Sequence, residues 1–254
     1  MTADRVLVER KNGAVWITLN APARRNAYDR EMADAVIAAL EGATDAEAVV
    51  LGGSGGAFCA GGALGQLASP NADALRQLFT TSLRLVDAIR ACPRPVIAAV
   101  DGPAAGGGNE LVIACDFAIA TRRSTFGQTG PKVGSAAVLG ATNLAAVQIG
   151  EKRSKEMSLL CRRYSADQAL AMGLINEVVD DGALISGVNR WLAEIHDLSP
   201  LYLEISKQSS NVWWNLARDN MGMSIQALIQ AIGSTDMREG ASAFLEKRKP
   251  NFRG

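Results

Sequence analysis

Two glycine-rich stretches carry the residue types from which an anion-stabilising site is built. "LGGSGGAFCAGGALGQL" spans 51–67 and "VDGPAAGGGNELVIACD" spans 100–116, each after an apolar β-branched run and before a helical pattern. Glycine adopts positive φ and lets a ligand approach the backbone, while the first N–H groups of a helix lack intrahelical acceptors. Two such turns brought together would aim two N–H donors at one oxygen, which is what an oxyanion hole requires. The same composition also fits two ordinary tight turns. A third stretch, "FGQTGPKVGSAA" at 126–137, has the polar, glycine-rich look of an active-site loop, yet Lys132 is its only ionisable side chain.

Other catalytic patterns fit less well. "GGSGG" at 52–56 matches a nucleophile elbow, but the "AFCA" that follows is a poor helix start, so Ser54 reads as a turn residue. The single histidine, His196, precedes a Ser-Pro helix start and reads as a surface or capping residue. One histidine excludes a multi-histidine metal site, and no metal is expected. No glycine pattern of the dinucleotide or P-loop kind is present. Cys59, Cys92, Cys115 and Cys161 are scattered singly, as packing residues and reduced thiols would be.

The elements that must position these turns follow from periodicity. With 254 residues, 48% apolar and 20% charged, the chain can bury a full core. Lys+Arg and Asp+Glu number 26 each, so there is no net basic field to attract nucleic acid or anionic membrane. The N-terminus lacks the order of a signal peptide, and Asp101, Glu110 and Asp116 interrupt the apolar runs near 96–120. A cytoplasmic protein without a membrane span is expected. "RVLVER", "AVWITLN", "AVVLGG", "RPVIAAV" and "DFAIA" predict strands, and 30–41 and 75–91 predict helices, an α/β pattern. From Gly182 onward the pattern is helical, over 182–197, 199–212, 215–232 and 236–247. These last helices carry Trp191, Trp213, Trp214, Met221, Met223, Leu228 and Phe244, which suit either packing onto the core or a subunit interface.

"AFCAGGALGQL", "GPAAGGGNELVIACDFAIA", "FGQTGPKVGS", "YSADQALAMGLINEVV" and "EGASAFLEKRKPNF", in this order, resemble the crotonase (enoyl-CoA hydratase/isomerase) superfamily over nearly the whole chain. "FGQTGPKVGS", "LCRRYSADQALAMGLINEVV" and "EKRKP" are most similar to the dihydroxynaphthoyl-CoA synthase branch and its neighbour, the 2-ketocyclohexanecarboxyl-CoA hydrolases. The resemblance implies a spiral of ββα units over 1–195, a helical region over 196–254, and a homotrimer or dimer of trimers. It also implies a CoA thioester as substrate, with no tightly bound cofactor. The thioester oxygen would lie between the amides of Gly62 and Gly107, with Ala60, Gly61, Leu64 and Gly106 shaping the two turns around it. Arg24, Arg25 and Ala27 in "PARRNA" and Lys247 in the basic tail would meet the adenosine end of CoA.

Family hydratases carry two glutamates. The first is present here as Glu110, and a carboxylate among glycines and apolar residues should have a raised pKa, suited to proton transfer. The second falls at or beside Gly130. In the naphthoate branch a glycine is normal there, and the resemblance implies a bicarbonate in place of the missing carboxylate, oriented by Gln128 and Thr129. That branch has an aspartate where this chain has Ala137 and a tyrosine where it has Ile232, which argues against dihydroxynaphthoyl-CoA synthesis itself. The family aspartate of the first motif is replaced by Ala63. The expected pocket is apolar, lined by Ala136, Ala137, Val138 and Leu139. Hydration, double-bond isomerisation and C–C cleavage all stay open, as does a non-catalytic acyl-CoA-binding homologue.

Overall fold

Asn12 and Gly13 both have positive φ, 51° and 72°, as a two-residue primed turn demands. They close a hairpin between Val6–Lys11 (β1) and Ala14–Leu19 (β2). The computed structural model describes residues 5–63 and 71–253. The chain continues through Arg30–Glu41 (α1), Ala48–Gly53 (β3), Ala72–Ala91 (α2) and Val96–Val100 (β4). Pro103–Ala105 (β5), Gly107–Ala114 (α3), Phe117–Thr121 (β6) and Thr125–Gly127 (β7) come next. They are followed by Leu144–Ile149 (α4), Glu151–Leu159 (α5), Arg163–Ser165 (β8), Ala166–Ala171 (α6) and Glu177–Val179 (β9). Leu184–His196 (α7), Pro200–Ser210 (α8), Val212–Gln230 (α9) and Thr235–Leu245 (α10) complete it.

Among the described residues the strands form two sheets. One has the order β1-β2-β3-β4-β6-β9 and is parallel from β2 onward; the other is β5-β7-β8. This is the expected mixed α/β class. β3 and β4 are nearly continuous apolar runs because helices cover both faces of the sheet. The two-residue period of β2 sorts its side chains: Val15 and Ile17 join α1, α2 and α3 in the main core, while Ala14 and Trp16 pack with Val188, Leu192 and Ile195 of α7 on the opposite face.

The C-terminal helices continue this core. Trp214, Met221, Ile225 and Leu228 of α9 and Met237 of α10 belong to the main cluster, and Trp191 tilts against Phe117 at 5.2 Å. Trp213, Met223 and Phe244 are exposed on the single chain. The aromatic and methionine set therefore divides between residues packed onto the core and residues left exposed on the single chain. α8 is pinned by Lys207, whose Nζ donates to the carbonyls of Ile89 and Arg94 at 3.3 and 2.9 Å and pairs with Asp116 at 2.7 Å.

α2 begins three residues before the expected Leu75, because the Asn71 side chain accepts the Ala74 N–H at 3.0 Å and caps the helix. The strands β5, β7, β8 and β9 have no counterpart among the expected elements: three residues are too few to show a period. Among the described residues no helix is long and apolar enough to cross a membrane.

Candidate active site

The two glycine-rich turns lie side by side because backbone hydrogen bonds lace them. Ala105 N–H donates to the Cys59 carbonyl at 2.9 Å, and the Cys59 N–H to the Pro103 carbonyl at 3.2 Å. A third segment joins them: Tyr28 N–H donates to Gly61 O and Ala63 N–H to Tyr28 O, both at 2.9 Å. Asn26, fully buried at φ 57°, holds that segment in place by donating to the carbonyls of Ser54 and Ala57 at 2.9 and 2.7 Å. Its Oδ1 accepts the Ala21 N–H at 2.9 Å.

This lacing engages many of the flanking amides, and Gly62 N–H and Gly107 N–H are among those it leaves without a backbone acceptor among the described residues. Gly107 is the first residue of α3, where an unsatisfied amide is intrinsic to the helix. The two nitrogens are neighbours: a Cβ on Gly61 would lie 2.8 Å from Gly107 N, and one on Gly107 would lie 3.3 Å from Gly62 N. Gly61 and Gly106 have φ of 95° and 54°, so glycine is required at both for the turns to come this close.

The third loop arrives by strand pairing. β5 pairs with β7 in parallel, Ala105 opposite Gly127, and the Gly106 N–H donates to Gly127 O at 3.0 Å. Thr129 thereby sits against Gly106, its Oγ1 3.0 Å from where a Cβ would stand. Gln128 is 2% exposed, and neither atom of its amide has a partner among the described residues. Gly130 is buried, and the position a side chain would take there is filled by the Ala136 backbone, 2.8 Å from a Cβ.

Glu110 projects from the first turn of α3 into the same cavity. Burial raises its pKa to about 7, against the opposing effect of backbone N–H donors at Leu139 and Ala141. The Leu139 N–H reaches Oε1 at 2.7 Å. Among the residues lining the cavity Glu110 is the sole carboxylate.

Of the residues singled out in the sequence, Ala60, Gly61, Gly62, Gly106, Gly107, Glu110, Gln128, Thr129, Gly130 and Ala137 line this one cavity, together with Ala136, Val138 and Leu139. Arg24, Arg25, Ala27 and Lys247 do not. Arg24 is paired with Asp29 at 3.2 Å, whereas Arg25 is exposed and has no ionic partner among the described residues. In the basic tail Arg248 is bound to Glu239 and Glu246, and Lys247 is exposed. Leu64 lies outside the described residues.

Sequence reasoning missed Tyr28, Leu78, Phe79, Ser82, Ile225 and Leu228, which also line the cavity. Leu78 and Ser82 are one helical turn apart on α2, and Ile225 and Leu228 lie at i, i+3 on α9, so each pair reads in sequence as an ordinary core stripe. Ser54 and His196 stand apart: Ser54 Oγ donates to Asn20 at 3.0 Å, and His196, on the surface, is 2.9 Å from Glu47. All four cysteines are buried thiols.

A family model described as enoyl-CoA hydratase/isomerase matches residues 9–254. An enoyl-CoA hydratase from Mycobacterium avium subsp. paratuberculosis K-10 superposes with a TM-score of 0.86 at 28% identity, covering 99% of each chain. An enoyl-CoA hydratase/isomerase from Xanthobacter autotrophicus Py2 gives 0.83 at 31% identity, over 98% of this chain and 100% of the other. An enoyl-CoA hydratase from Bacillus halodurans shares the fold with a TM-score of 0.88 at 23% identity, over 94% and 100%. A family match running from residue 9 to the last residue, on a fold shared end to end with these structures, means that the chain belongs to the crotonase, or enoyl-CoA hydratase/isomerase, superfamily.

Proposed function

We propose that this chain is an acyl-CoA enzyme that stabilises a thioester enolate between the Gly62 and Gly107 amides and moves protons with Glu110. One observation carries the reading: two neighbouring N–H groups without backbone acceptors open onto the cavity that holds a buried carboxylate whose pKa is about 7. Removing a proton from the carbon next to a thioester places negative charge on the carbonyl oxygen. Donors already aimed at that oxygen stabilise the transition state by about 3 kcal/mol each. A base near neutrality takes the proton and can return it.

A single fixed carboxylate favours double-bond isomerisation. There Glu110 removes a proton from one carbon, the electron pair moves onto the thioester oxygen, and the same carboxyl returns the proton two carbons away. Hydration needs a second group to activate water, and the Ala136 backbone closes the position of that group at Gly130. Gln128 offers an alternative. Its unpartnered amide has both donors and an acceptor, which a bicarbonate ion complements, and a buried amide left unpaired costs about 1–3 kcal/mol. The reading keeps bicarbonate as a borrowed base and Arg25 and Lys247 as contacts for CoA phosphates. It also keeps an assembly of three or six copies that covers Trp213 and Met223, and the kinship of the "FGQTG" loop with the naphthoate and ring-hydrolase branch.

The test is a panel of CoA thioesters read by mass spectrometry, with the wild type and Glu110→Gln. Enoyl-CoA isomerisation or hydration that disappears in Glu110→Gln supports the proposal. Cleavage of β-ketoacyl-CoA would move the reading to a C–C hydrolase, and tight binding without turnover to a non-catalytic homologue. Bicarbonate-free buffer should lower turnover and added bicarbonate restore it, with chloride competing; unchanged turnover would remove the ion from the mechanism.

A further inference from the structure

Tyr28 is 3% exposed, lines the candidate cavity, and has no role in the mechanism above. Its phenol lies directly over Gly107: a Cβ on Gly107 would be 2.6 Å from the Tyr28 hydroxyl oxygen and 3.3 Å from the Gly62 nitrogen. The hydroxyl and the Gly62 amide thus flank the same side of Gly107. The placement is rigid, since the Tyr28 backbone is bonded on both sides to the first glycine turn and the preceding Asn26 is clamped at three backbone groups. Gly107 can only be glycine here, because any side chain would displace the phenol.

The hydrogen bonding around the ring decides what the hydroxyl can do. Its neighbour on α2 is Ser82, whose own proton goes to the Leu78 carbonyl at 2.8 Å. With the Ser82 proton committed to Leu78, the phenol keeps its own proton and can turn it to a ligand oxygen. We propose that the Tyr28 hydroxyl is a third hydrogen-bond donor to the thioester oxygen, beside the Gly62 and Gly107 amides. Burial raises the phenol above its ordinary pKa, against a smaller opposing effect of the Ser82 hydroxyl, so the group stays protonated and donates without transferring its proton. Negative charge that grows on the oxygen strengthens the bond as the transition state is approached. This proposal rests on the thioester reading of the cavity.

Tyr28→Phe keeps the ring that fills the space over Gly107, and its thermal midpoint should stay within a few degrees of the wild type. Crotonyl-CoA labelled with 13C at the carbonyl reports the donors directly, by infrared difference spectroscopy in a Glu110→Gln background that halts turnover. The bound carbonyl band should lie below that of the free thioester and move back toward it in Tyr28→Phe. With Glu110 intact, Tyr28→Phe should lower kcat about tenfold to a hundredfold while KM changes less than threefold. If the band is displaced equally with Tyr28 and with Phe, the third donor is overturned and the two-amide site stands. If the thioester fails to bind, or binds with its carbonyl band undisplaced, both proposals fall.

Discussion

The Glu110 carboxylate accepts the Leu139 N–H at 2.7 Å, which ties the first turn of α3 to the wall of the cavity. The bond orients the acid/base group and the acyl pocket together. Glu110→Gln keeps an acceptor for Leu139 and should fold, yet lose about 10²–10⁴-fold in kcat. As the base, Glu110 must be ionised, so kcat/KM should rise with pH through about 7 and then level. A profile flat between pH 5 and 8 would remove Glu110 from the proton-transfer step.

The same carboxyl makes stability depend on pH. Its folded pKa, about 7, is above its ordinary value of 4.5, so its contribution is fully present below about 4.5 and is lost as pH rises through about 7. The shift corresponds to about 3 kcal/mol. Urea titrations should show Glu110→Gln gaining on the wild type by roughly that amount between pH 4.5 and 8. A constant difference across that range would contradict the buried, proton-coupled state.

The glycines of the two turns are not equivalent. A Cβ on Gly108 would stand 2.1 Å from the Cys59 carbonyl oxygen, inside the backbone lacing, whereas one on Gly62 meets Leu78 at an ordinary 3.6 Å. Gly108→Ala should cost about 2 kcal/mol or more and separate the turns; Gly62→Ala should stay within about 0.5–1 kcal/mol. Equal urea midpoints for the two variants would show that the turns are not in contact as described.

Arg24 and Arg25 should also separate. Arg24 is committed to Asp29, the N-cap of α1, and Arg25 has no ionic partner among the described residues. Arg24→Ala should lower stability by less than about 1 kcal/mol, as an exposed pair does. Arg25→Ala should leave stability unchanged and raise the Kd for CoA severalfold, more at low salt than at high. Calorimetric titration with CoA, paired with thermal unfolding, measures both; an unchanged Kd would assign the phosphates elsewhere.

Asp116 is paired with two cations, the buried Lys207 at 2.7 Å and the half-buried Arg90 at 3.8 Å, and it also accepts the Val96 N–H at 2.8 Å. Asp116→Asn leaves both cations without a counter-charge and should cost about 3–5 kcal/mol. Lys207→Met keeps the Arg90 pair and should cost less. The reverse order in chemical denaturation would mean that Lys207 holds α8 through the Ile89 and Arg94 carbonyls rather than through the ion pair.

Local pattern by itself determined much of this protein. The strands at 14–19, 48–53 and 96–100 and the helix at 30–41 show in their hydrophobic periods, since each buries one face or both, and the largely exposed strand at 6–11 shows in its β-branched run. Glu110 and the two glycine turns stand out because positive φ, helix starts and an acid among apolar residues are chemical facts of the residues themselves. The tertiary structure decided what those residues face. Tyr28, Ser82 and Ile225 are distant in sequence and unremarkable in type, and they reach the cavity only because Asn26 clamps one loop, α2 crosses the turns and α9 folds back onto the core. Packing also paired Arg24 with Asp29 while leaving Arg25 exposed, and filled the position beside Gly130 with the Ala136 backbone. Such contacts depend on the relative placement of whole elements, which the period of any single segment does not encode.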